Sequence, residues 1–163
     1  MIELPWALCV LFIFLCFPLL TLGAETIRYG FLLAASRDAA HMAAAARTFQ
    51  TNSSSTDLSA CNVASGQAAL TASKFSNVTI SSVTTNIVII AISTNAVTRQ
   101  STPLTAPADT TNNLYGIEVV LHGTIAPLIP GNPNFPQIPG LSGPITLTIT
   151  SQEICENPQG LNQ

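Results

Sequence analysis

From Pro5 to Leu22 the chain reads PWALCVLFIFLCFPLLTL, eighteen residues without a charge. Wound as a helix, they extend about 27 Å, close to the ~30 Å hydrocarbon thickness of a bilayer. Such a run is a membrane span, the stem of a helical assembly, or a leader removed in the mature protein. A signal peptide carries a basic n-region and an apolar core of roughly 7 to 15 residues. Here the only charge before the run is Glu3, although LGA ahead of Glu25 has the small residues of a cleavage site. Downstream, Phe31, Ala35, Ala39, Met42, Ala46 and Phe49 recur every three or four residues, the stripe of an amphipathic helix. No proline falls between Arg28 and Phe49, so the sequence predicts one rod from Leu4 to Phe49, about 70 Å long.

Several positions on this rod carry expectations. Pro18 lacks an amide hydrogen and should bend or loosen the rod inside its apolar part. Glu25 and Arg28, three apart, can neutralise each other where the rod leaves the apolar layer. Ala35, Ala39 and Ala43, with Ala46 nearby, form a small-residue edge that admits a second helix, from another subunit or from the chain's own head. Cys9 and Cys16 lie on one helical face as small packing residues. Leu8 and Leu15 precede them, where a lipobox needs a small residue.

The chain divides into an apolar helix (1–23), an amphipathic extension (24–50), a polar linker (51–57) and an α/β head (58–163). A second, alanine-rich helix is expected from Asp57 or Leu58 to Phe75. The period then switches to two. Val78, Ile80 and Val83, the run Ile87–Ile92, Ile117, Val119 and Leu121, and Ile145, Leu147 and Ile149 predict a small antiparallel sheet with one dry face. IVIIAI is apolar on both faces and reads as the central strand. The expected fold is therefore α+β: a long N-terminal helix and a short second helix packed on that sheet. A proline-rich loop spans 126–144, where Pro127, Pro130, Pro133, Pro136 and Pro139 recur with the period of a polyproline II helix. It is either a docking arm or a stiff loop folded over its own sheet.

Charged residues are only 8% of the chain, against roughly 25% in ordinary soluble domains. With Lys74 the sole lysine and a net charge of −3, there is no basic stripe for nucleic acid. His41 and His122 stand in no HExxH or comparable pattern, and GxSxG and phosphate-cradling loops are absent, so no enzyme, cofactor or metal site is expected. Cys61 and Cys155 lie in polar sequence without CxxC; they read as a disulfide of an oxidising compartment or as two unrelated thiols. A bridge there would close a loop worth about 4 to 5 kcal/mol in the chain-entropy model. Arg28 and Arg37 flank the C-terminal side of the apolar run and would keep the head in the cytoplasm by the positive-inside rule. The polar cysteines and the lysine-poor, Ser/Thr-rich body place it outside, and a basic leader upstream of Met1 would remove the conflict.

The chain carries, in order, Glu3, the proline before leucines in FPLL, Glu25 and Gly30 at the membrane exit, AASRDAAHMAAAARTF, and a proline-rich loop before PITLTIT. In that order of parts it resembles the TadE-like and TadG-like minor pilins, or pseudopilins, of bacterial tight-adherence pili, which are type IV pilin-like. The resemblance implies a structural subunit held in the inner membrane of a bacterium, its partners being other pilin subunits and, before assembly, lipid. It also implies that Glu3 takes the place of a glutamate near the mature N-terminus that pairs with the amine of an adjacent subunit. Without processing, Glu3 is a solvated residue at a helix start. The differing expectation is a bitopic binding protein whose head captures a partner without polymerising.

Overall fold

A computed structural model describes residues 3–50, 58–128 and 137–163, with the apolar run helical throughout. Helix α1 (Glu3–Leu11) passes through a π-helical turn (Phe12–Cys16) into α2 (Phe17–Ala44), and the helix is unbroken from Thr21 to Ile27. The rod is about 63 Å long. Its π turn has a local cause. Pro18 has no N–H for the Phe14 carbonyl, and its ring crowds that carbonyl. The backbone widens, and the Phe17 N–H reaches the Phe12 carbonyl, five residues back. The loosening expected at Pro18 thus takes the form of a widened turn just before it.

The rod ends at Ala44, short of the expected Phe49. Phe49 turns inward and is fully buried, which contributes about 2 to 3 kcal/mol. The turn also serves α3 (Ala60–Ser73), whose first amides have no partner within their own helix. Ala60 N–H donates to the Thr48 carbonyl at 2.9 Å and Cys61 N–H to that of Phe49 at 3.2 Å. Ser59 caps the helix by accepting from Asn62 N–H at 3.4 Å. The linker expected at 51–57 lies outside the described residues.

Four antiparallel strands follow: β1 (Val78–Ala91), β2 (Val97–Gln100), β3 (Asn113–Ile125) and β4 (Ile145–Ile154), in the order β2-β1-β3-β4. The fold is α+β, as the periodicities indicate. The two apolar runs at 78–83 and 87–92 prove to belong to one strand. A bulge between Ile80 and Ser82 inserts one residue and keeps Val78, Ile80 and Val83 on the same face. All of IVIIAI but Ile92 lies in an interior strand, with Ile87 and Val88 both fully buried on opposite faces.

The dry face is covered by α2 and α3. Ala35, Ala39 and Ala43 on α2 and Ala60, Ala64 and Ala68 on α3 recur every fourth residue and belong to one buried cluster. Small side chains on both helices permit close approach. Phe31 and Phe75 stack at 3.6 Å beside this interface.

Candidate functional site

The part of the rod before Thr21 and the part after Leu32 meet different surroundings. Trp6, Phe12, Ile13, Phe14, Leu19 and Leu20 are all exposed, and only 6% of the most apolar eighteen-residue window is buried within the chain. By length and composition, this is a helix able to cross a membrane. From Glu25 onward α2 is fastened to the head at intervals of one or more turns. Arg28 donates to the Ala126 carbonyl at 2.7 Å, Leu32 packs over Gly123, Ser36 Oγ donates to Ser151 Oγ at 2.8 Å, and Glu156 N–H donates to Ala44 O at 3.0 Å. Stem and head therefore form one body joined by a continuous helix.

Glu25 sits at the lower end of this seam and is only 5% exposed. Gly140 lies so close that an added Cβ would be 2.9 Å from Glu25 Oε2. At φ +83° Gly140 adopts a left-handed conformation, in a turn where Leu141, Ser142 and Gly143 all donate N–H to the Ile138 carbonyl. The Glu25 Oε1 atom is buried and has no hydrogen-bond partner among the described residues. Burial pushes this carboxyl above its ordinary value, and the positive charge of Arg28 opposes that less strongly. The expected neutralisation does not take the form of an ion pair: Arg28 is spent on Ala126, and among the described residues the one salt bridge joins Arg99 to Glu118 at 2.9 Å.

The other expected positions separate. Glu3 opens α1, and its side chain lies outside the described residues. Pro18 sits in the first turn of α2. Ala35, Ala39 and Ala43 are buried against the chain's own head and α3, so that edge is filled from within the subunit.

The expected Cys61–Cys155 bridge is corrected: both are free thiols. Cys61 turns toward Thr85 on β1, whereas Cys155 lies beyond β4, its N–H on the Tyr115 carbonyl. The strand register sets Thr85 and Cys155 roughly 16 Å apart, while bridged Cα atoms lie about 4.4–6.8 Å apart. Burial raises the pKa of both thiols. Of the proline arm, Pro130, Pro133 and Pro136 lie outside the described residues. Pro127 follows β3, and Pro139 pairs with Gly143 in a bridge beside the turn over Glu25.

Periodicity does not reveal the groove beside Glu25, whose walls come from distant parts of the chain; only the Pro-Gly pair at 139–140 signals a turn there. Nor does it show the polar cluster on the open sheet face, where Glu118 accepts from Arg99 and, at 3.2 Å, from Asn86 Nδ2. His41 lines a polar groove between α2 and the β4 edge, and His122 Nδ1 lies 2.9 Å from Thr148 Oγ1.

Fold and seam together define an α+β protein whose head is welded to an exposed apolar helix. No family model, no curated protein and no solved structure matches the chain.

Proposed function

We infer that the chain is a structural subunit anchored by its N-terminal helix, with the head outside the cytoplasm, and that it assembles with like subunits into, or initiates, an extracellular adhesion pilus. The observation that carries this reading is the uninterrupted helix, apolar and largely exposed before Thr21 and buried along one face against the head from Leu32 onward. An exposed apolar stem is satisfied by lipid before assembly and by neighbouring stems afterwards, so transfer between the two costs little. The resemblance to minor pilins in sequence order supports the same reading and points to a bacterial inner membrane.

A second reading, a bitopic binding protein that does not polymerise, is favoured by one observation. The alanine edge at Ala35, Ala39 and Ala43 is occupied by α3, which leaves the apolar stem as the helical surface for assembly. Shear fractionation of intact cells separates the two. A filament subunit appears in the sheared material, and recovery only with membranes refutes assembly. Mass spectrometry of the natural N-terminus tests the anchor itself, since a mature chain beginning at Glu25 has lost it.

A further inference from the structure

Beside the end of the apolar stem, a groove of 230 Å³ runs between α2 and the near ends of β3 and β4. Leu22, Glu25 and Tyr29 line it from the helix, and Ile125, Ile145 and Leu147 from the sheet. Glu25 is the one ionisable carboxyl among these walls. Its Oε1 atom is buried and without a donor, while the nearest cation, Arg28, is held by the Ala126 carbonyl. A buried carboxylate oxygen without a donor among the described residues is costly, and a donor from outside the chain would offset that cost.

The depth of the site identifies that donor. Glu25 lies three residues past Leu22, about 4.5 Å along the helix axis. With the stem in a bilayer, the polar layer beyond the hydrocarbon is about 5 to 8 Å thick on each side. The carboxyl therefore sits at the level of the lipid headgroups. Exposed Trp6 stands near the start of the apolar run, as aromatics do at membrane borders.

We propose that this groove binds the headgroup of an aminophospholipid, its ammonium N–H donating to Glu25 and its upper chain lying against Leu22 and Ile145. The proposal rests on the membrane-anchored reading and not on polymerisation.

The test is native mass spectrometry of the full chain in detergent with chain-matched phosphatidylethanolamine, its N,N-dimethyl form and phosphatidylcholine. The series removes N–H donors from the ligand without touching the protein. Wild type is expected to retain one phosphatidylethanolamine, about tenfold or more over phosphatidylcholine, with the dimethyl form between. Glu25→Leu should abolish the preference. If that variant misfolds, the headgroup series on wild type decides alone. Equal retention of all three lipids overturns the proposal, as does a preference that survives Glu25→Leu. Glu25-dependent dimerisation without lipid preference also overturns it and assigns the groove to a second copy. Alkaline extraction of membranes keeps the readings apart: a chain that washes off fails the anchor, whereas one that stays but shows no headgroup preference fails only the groove.

Discussion

Leu32 is the point at which the rod grips the sheet, and replacing it with alanine tests whether rod and head are one folded unit. The side chain is fully buried and both its terminal methyls face Gly123, 3.1 and 3.2 Å from where a Cβ would stand. Sheet backbone cannot collapse into the space left behind, so Leu32→Ala should cost about 3 to 4 kcal/mol. At this chain length that is a fall in Tm of about 10 to 15 °C. Gly123→Ala alone should cost about 1 kcal/mol, because the new methyl meets Leu32 and, at 3.3 Å, Leu121. In the Leu32→Ala background two of these three clashes are gone and the methyl fills part of the cavity. The double variant should therefore recover about 1 kcal/mol relative to Leu32→Ala, a coupling of about 2 kcal/mol between the sites. Unfolding in a fixed detergent can be followed through Tyr115, buried in the head with its hydroxyl accepting from Asp109 N–H at 3.0 Å. Leu20→Ala, at a stem position 65% exposed, is the control and should leave the head unchanged. A cost below about 1 kcal/mol for Leu32→Ala, or strict additivity with Gly123→Ala, would refute the reasoning.

Three further outcomes follow from buried polar groups. The raised Glu25 carboxyl stabilises the fold while protonated, and this contribution is lost as pH rises from the ordinary 4.5 through the folded value. In detergent without aminophospholipid, Glu25→Gln should thus be more stable than wild type at neutral pH, with the gap closing below 4.5; a variant less stable at pH 7 contradicts this. Arg99→Ala leaves Glu118, 7% exposed, with Asn86 alone, and should cost about 1 to 2 kcal/mol, kept modest because Arg99 is 55% exposed. Adding Glu118→Gln should restore most of that loss in urea melts, and a second, additive loss counts against a buried charge as the cause. Burial keeps the thiols of Cys61 and Cys155 protonated at neutral pH, so alkylation should be slow until the head unfolds. Non-reducing peptide mapping should find the two unlinked, and a cross-linked peptide would overturn the arrangement.

The rod and sheet are legible in the sequence because each repeats a periodic burial demand over many residues. Ile145, Leu147 and Ile149 alternate with threonines, and strand β4 follows. Strand β2 is not legible, since VTRQ is too short and polar for any period to show. The split between Val83 and Ile87 misleads for the opposite reason: Thr84, Thr85 and Asn86 interrupt the apolar pattern but not the backbone pairing. Ala35, Ala39 and Ala43 announce a close helix contact, yet small side chains carry no mark of the partner, and it is α3 of the same chain that fills the place. The groove is hidden more deeply. Leu22 and Leu147 meet only after the whole sheet has formed, and Glu25 looks like an ordinary exit charge until Gly140 closes over it.

The placement of the soft and stiff points along the rod bears on how the head is held. A hinge between stem and head would free the head to turn, but Arg28, Leu32 and Ser36 tie three successive turns of α2 to the loop after β3 and the sheet. The irregular backbone lies lower, at Phe12–Cys16, among exposed apolar side chains. A π turn keeps backbone groups paired, which an apolar surround demands, while shifting the helical phase. Among the described residues of the rod, the irregular backbone is therefore confined to the apolar segment. If the stem lies among lipid or neighbouring stems, as proposed, packing around Phe12–Cys16 would set the direction in which the head points, because the upper rod is fastened to the head over several turns.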